Sequence, residues 1–301
     1  MRRLIIDTHV HLWQRSMYPD VILDAYIEPF ANLDALYPRM AGPDDRDWLF
    51  METDSEVLID NMKSAGIDRS VVLPLDFGLV GPTRKTVEEL NEWVFEVCAS
   101  YAPKLIPFIG VDPQRGYSAL RIVEDCVKRF DARGVKVYPP TGWRPDDDRI
   151  APFWKLADEL GLMIVSHSGA VWGPLNEDLS RPSHFASVLD RHENLRLVIA
   201  HLGGEFHDEL WPLLEKYPNA YTDCSALQGW FPSSPDMIMS RLAEIAARAP
   251  ERVFFGTDWP LFDLVLPQAA FVDLVRTSGW GDEDMKERLL VNNFTRAMRR
   301  H

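Results

Sequence analysis

Residues 4–11 read Leu4-Ile5-Ile6-Asp7-Thr8-His9-Val10-His11, an apolar run that ends in two imidazoles two positions apart. In a β-strand, residues i and i+2 point to the same face. His9 and His11 therefore project side by side at the C-terminal end of a strand that begins near Arg3. That is the geometry of two metal ligands, and it requires partners from elsewhere in the chain.

Seven further β-branched runs follow: RSVVLPL (69–75), KLIPFIGV (104–111), RGVKVYP (133–139), LMIVSHS (162–168), LRLVIAH (195–201), NAYTDCS (219–225) and RVFFGTD (252–258). Amphipathic stretches of helical length separate them. Near-continuous apolar strands are expected where both faces of a parallel sheet are buried. Eight βα units in alternation predict a closed (β/α)8 TIM barrel rather than an open doubly wound sheet, with residues 1–301 forming one domain. Residues 14–50, rich in Pro, Asp, Tyr and Met, break the alternation and are expected to form a long first βα loop, a lid-like insertion over the mouth. Residues 282–300 are expected to add a terminal helix.

The 301 residues carry a net charge of −14, with 46% hydrophobic and 26% charged residues. This composition suits a large globular core, and the charge argues against nucleic-acid or acidic-membrane partners. It leaves an anionic small-molecule substrate open, because a local metal or arginine overrides the global field. Cys98, Cys126 and Cys224 are widely spaced and form no CxxC pair, which argues against a disulfide framework or thiolate zinc site. No run reaches signal-peptide or transmembrane length, so a cytoplasmic location is expected. The long first loop and terminal helix are compatible with a homodimer.

Placed on these strands, His9 and His11 end the first, His167 the fifth, His201 the sixth and Asp258 the eighth. All fall on the face where barrel enzymes assemble their sites. Four imidazoles and a carboxylate form a nitrogen/oxygen set suited to Zn²⁺, and also to Mn²⁺, Fe²⁺ or Co²⁺.

The ordered segments IDTHVH, VSHSG, IAHLGG and FGTDWP resemble the amidohydrolase superfamily. The resemblance is to its amidohydrolase-related branch of aminocarboxymuconate-semialdehyde decarboxylase-like enzymes and lactonases, and it runs from Leu4 to near Asn293. It implies that His9, His11 and His167 bind one divalent metal, with Asp258 as a further ligand. It further implies that His201 contacts the activated water or the substrate rather than the metal. Asp258 and His201 are then the catalytic pair: Asp258 accepts a proton, and His201 orients water, polarises a carbonyl or shuttles the proton.

Lys136, on the fourth strand, alternates with Val135 and Val137 and is expected to point inward, where a buried lysine needs a role. It is read as a substrate contact, an ion-pair partner, or a carboxylated bridge between two metals. Trp13, Trp48, Trp143, Trp172, Trp230 and Trp259 fall in βα loops and suggest an aromatic wall for a ring-shaped substrate. Arg46, Arg84, Arg144 and Arg181 are candidates to clamp a carboxylate. His184, His192 and His207 are expected to be surface or packing residues, and Asp146-Asp147-Asp148 a solvated capping loop. Three functions stay open: hydrolysis of a small lactone, amide or ester bearing a carboxylate or ring; non-oxidative decarboxylation of a small aromatic or muconate-like acid, a lyase reaction; and an inactive metal-bearing barrel.

Overall fold

Strands form where the β-branched runs lie, and their pairings are parallel throughout. The computed structural model describes residues 4–31, 53–230, 233–263 and 265–299. Its strands are β1 (Ile6–Val10), β2 (Arg69–Val72), β3 (Leu105–Pro107), β4 (Ile109–Gly110), β5 (Gly134–Val137), β6 (Met163–Ser166), β7 (Arg196–Ile199), β8 (Ala220–Asp223) and β9 (Val253–Phe254). One sheet runs β1-β2-β3 and the other β4 through β9 in chain order. β3 and β4 are two parts of one run, separated by Phe108, so the segments occupy eight strand positions. A helix follows each position, the pattern of the TIM-barrel class.

The first strand meets the segment after the last. Thr8 N–H donates to Phe255 O (2.8 Å), Asp258 N–H to His9 O (2.8 Å) and His11 N–H to Trp259 O (2.7 Å). This ladder sets His9, His11 and Asp258 beside one another through the backbone alone. Buried Asp7 pins the same seam, accepting from the His9 and Thr257 amides (3.1 and 3.0 Å), Thr257 Oγ1 (2.6 Å) and Gln268 Nε2 (3.1 Å). Burial pushes its carboxyl up to about 7, against the pull of those donors.

Alternation along the strands divides the core. Val71 and Leu73, Met163 and Val165, and Val198 and Ala200 join Phe108 in one cluster, against which Val291, Phe294 and Ala297 pack. Ile164, Leu197 and Ile199 belong to the larger cluster that includes the helices. With a period of two, the row Met163–Val165 leads on to His167, which carries the inward face up to the catalytic end.

The first part of the 14–50 insertion is not loop throughout. It forms a helix, Asp20–Ala31, and buries Tyr18, Ile22 and Tyr26 against Trp13 and the core. The rest of it, with Arg46 and Trp48, lies outside the described residues. The terminal segment is helical over Glu283–Glu287 and Asn293–Met298, with a π-type turn at Arg288–Asn292 between them. Leu289 O there accepts from Phe255 N–H (3.0 Å), a tie to the strand end that accounts for the altered helix ladder. Among the described residues, no helix is long and apolar enough to cross a membrane.

Candidate functional site

His9, His11, His167, His201 and Asp258 converge at the C-terminal ends of β1, β6, β7 and β9. Asp258 Oδ1 lies 3.1 Å from His11 Nε2 and 3.5 Å from His9 Nε2. His201 Nε2 lies 3.2 Å from His167 Nδ1. One ligand atom each from His9, His201 and Asp258 falls within 4.8 Å of the others. His201 and Asp258 both adopt left-handed backbone angles, with φ of 58° and 57°. Such angles are costly for non-glycine residues and are held by the surrounding structure. Here the His201 amide donates to Asp223 Oδ1 (3.0 Å) and the Asp258 amide to His9 O (2.8 Å).

The outer nitrogen of each imidazole is tied down. His9 Nδ1–H donates to Asp223 Oδ2 (2.9 Å), His11 Nδ1–H to Leu73 O (2.6 Å) and His167 Nε2–H to Gly169 O (3.3 Å). Ser225 Oγ donates to Asp223 Oδ1 and accepts from His201 Nδ1–H (2.7 Å). These tautomers, assigned from the network, leave an unprotonated nitrogen of every ring facing inward. Two lone pairs then face each other between His167 and His201, and another faces Asp258 from His11. A divalent cation relieves that repulsion. Donors around a tetrahedral ion at 2.0–2.2 Å lie about 3.3 Å apart, in line with the 3.1 and 3.5 Å spacings of Asp258 Oδ1 from His11 Nε2 and His9 Nε2. The donor set fits such an ion, and the outer hydrogen bonds orient it as metal-binding histidines require.

The electrostatics agree. Burial lowers His201 to about 4 and His167 well below the usual imidazole value, and it lowers His9 with help from the nearby Lys136 charge. Burial opposes ionisation of Asp258, but positive charge at the cluster, on the His11 contact and the other rings or on an ion in their place, holds its carboxyl below the usual range. Lys136 is buried, as expected, with Nζ 3.1 Å from His9 Nε2, and burial pulls it down to about 8.

Sequence reasoning missed Asp223 and Ser225. Asp223 ends β8 as the histidines end their strands, and this shared placement was the available signal. It accepts from His9, His201 and Ser225. Gly256 makes room for this arrangement, since a Cβ there would lie 2.9 Å from His9 Cβ and 3.1 Å from Ser225 Cβ. Gly256→Ala is expected to cost about 1–3 kcal/mol of stability and to lower divalent-ion binding through displacement of His9. Urea unfolding and elemental analysis of the variant check both.

A pocket of about 350 Å³ opens over the cluster, lined by Trp13, Tyr26, Tyr138, Trp172 and Trp230 among others. Tyr138 stacks on His167 with ring centroids 4.4 Å apart, and its hydroxyl lies 3.4 Å from that of Tyr26. Two expected wall residues sit elsewhere: Trp143 and Trp259 are core side chains, 1% and 0% exposed, because the chain turns them inward. Of the expected arginines, the three among the described residues do not line the pocket either. Arg144 pairs with Asp146, and Arg181 pairs with Glu209 and Asp178 and lies over Phe206. Arg84 sits on a separate groove with Asp76 and Arg115. His207, expected as a surface or packing residue, lines the pocket together with Arg241. Asp147 caps a short turn through the Arg149 amide (2.9 Å), the capping role expected of its loop.

Residues 6–299 match the family model described as Amidohydrolase. The structure is similar to a 5-carboxyvanillate decarboxylase from Sphingomonas paucimobilis, with 17% identity, 99% of each chain covered and a TM-score of 0.69. It is similar to a dihydroxybenzoic acid decarboxylase from Polaromonas sp. with bound manganese and 2-nitroresorcinol (15% identity, 99% of this chain and 97% of that one, TM-score 0.68). A probable 2-pyrone-4,6-dicarboxylic acid hydrolase from Acinetobacter baumannii with citric acid bound is also similar (14% identity, 98% of each chain, TM-score 0.62). At these identities the likeness is one of fold. Among curated proteins, none matches the chain.

Proposed function

Because the chain belongs to the amidohydrolase family, we propose that it holds one divalent metal through His9, His11, His167 and Asp258 and hydrolyses a small lactone, amide or ester that carries a carboxylate or a ring. The observation that carries this reading is the set of inward lone pairs on rings whose outer nitrogens are already bonded. The nitrogen-rich set suits Zn²⁺. Manganese in the Polaromonas decarboxylase makes Mn²⁺ the first alternative to test. A bound ion supplies Lewis acidity that brings the ionisation of water near neutral pH.

The chain's own residues handle the proton. His201 is neutral above about pH 4, and Ser225 and Asp223 stand behind its Nδ1. Its Nε2 takes a proton from water as the water oxygen adds to the carbonyl carbon, and returns it to the departing oxygen or nitrogen. Asp258, ionised beside it, holds the water or accepts the proton in its place. Buried Lys136 offers N–H groups to the substrate. Since the base must be unprotonated, the His201 contribution to kcat/KM is expected to be lost with decreasing pH near its low value of about 4, not near the ordinary imidazole value of about 6.5. A pH–rate profile checks this.

A second reading, decarboxylation of a small aromatic acid, draws on the aromatic wall, on Glu205 in the same pocket and on the similar decarboxylases. Elemental analysis is the first test, followed by chelation, re-addition of metal and a panel of lactones and aromatic carboxylic acids. About one ion per chain with chelator-sensitive ring opening supports hydrolysis, and CO₂ release supports the second reading. An active protein free of metal overturns both, and two ions per chain make Lys136 a carboxylated bridge.

A further inference from the structure

Arg241 lines the pocket from the helix Pro235–Arg248. Its guanidinium is clamped on two sides. Nη1 donates to Glu244 (2.8 Å), and Nη2 donates to His207 Nδ1 (3.2 Å). That bond leaves the His207 proton on Nε2, which lies 3.3 Å from the Asp208 carboxylate. Glu244 is shared with Arg248, whose Nη1 lies 3.5 Å away, and Arg248 turns its Nη2 to Glu215 (2.8 Å). The Glu244 carboxylate thus orients Arg241 while its charge is divided between two guanidinium groups. The Arg241 side chain is 20% exposed, and N–H donors of its fork remain free of those two partners.

We propose that Arg241 is a specificity-determining residue that receives a substrate carboxylate other than the reacting group. The inference rests on the pocket being the substrate site, as read above. Two lysine or arginine side chains stand on its described wall, Lys136 within the histidine cluster and Arg241 outside it. Glu205 and Asp258 are the carboxylates on that wall, Asp258 within the cluster and Glu205 outside it, where it repels an anion. Trp13, Tyr138 and Trp172 share the wall with the two cations and offer flat surfaces for a ring. The ligand class that meets all of these is a ring with two acidic groups, one directed to the cluster and one to the preorganised fork.

Calorimetric titration of wild type, Arg241→Met and Arg241→Lys with isophthalate, terephthalate and their monomethyl esters tests this without turnover. In wild type at least one dicarboxylate is expected to bind about tenfold or more tightly than its half-ester. Arg241→Met closes that gap while shifting half-ester affinity less than about twofold, and Arg241→Lys restores part of it, as a point charge replaces the fork. An Arg241→Met protein of lower Tm that keeps the full gap shows a merely structural tie between helices and overturns the proposal. Wild type that binds neither dicarboxylate more tightly than its half-ester also overturns it. The metal reading fails on a different result, ion-free active protein, which leaves these titrations interpretable.

Discussion

Replacing Asp258 by asparagine is expected to lower kcat about 10³-fold, within the range assigned to a positioned acid–base group. Asparagine has nearly the shape of aspartate and tolerates left-handed backbone angles, so the φ of 57° and the amide bond to His9 O survive. What changes is charge and basicity. The wild-type carboxyl stays ionised, 3.1 Å from His11 Nε2 and 3.5 Å from His9 Nε2. The amide brings no negative charge to the cluster and accepts no proton from water. Metal occupancy, measured on the same samples, separates the two losses. Lost occupancy assigns Asp258 chiefly to binding, and kept occupancy with lost turnover assigns it to proton transfer. Activity within tenfold of wild type would remove Asp258 from both roles.

Asp223→Asn is expected to weaken metal binding by about 10–100-fold although Asp223 faces away from the cluster. Three donors converge on Oδ1: the His201 amide, the Ser225 amide and Ser225 Oγ. The asparagine oxygen must therefore take that position, which turns the amide NH₂ toward His9 Nδ1. His9 then accepts at Nδ1 and carries its proton on Nε2, where the lone pair is needed. Asp223→Ala is more severe, at about 3–5 kcal/mol of stability, because a buried charged partner is removed and its donors are left unpaired. Chelator competition reads the first effect and urea unfolding the second. Unchanged metal affinity in Asp223→Asn would show that His9 Nε2 is not a ligand.

Much of the site was legible because barrel geometry converts a local pattern into a spatial one. An imidazole or carboxylate that ends an apolar run stands on the same rim whichever strand carries it. His9, His11, His167, His201 and Asp258 obey that rule, and so does Lys136 through its alternation with Val135 and Val137. Asp223 obeys it too, in TDCS, but a lone aspartate ending a run has no spacing partner to mark it. The aromatic and arginine readings fared differently. Trp143 and Trp259 sit in loops at the catalytic end, yet loop residues can turn either way, and both turned into the core. Arg144 and Arg181 found carboxylates two and 28 positions away in sequence. Arg241 and Tyr26 reach the pocket from helices, where no strand-end rule applies.

By itself, then, the order of apolar runs and the residues that end them determined the barrel class and the cluster at its mouth, because parallel strands with both faces buried leave one arrangement for their polar ends. Only the tertiary structure decided which nitrogen of each ring points inward. That choice depends on Asp223, Leu73 O, Gly169 O and Ser225, groups 2 to 214 residues away in sequence. It also decided which cation faces the pocket, since an arginine's partner is set by whichever carboxylate folding brings within reach.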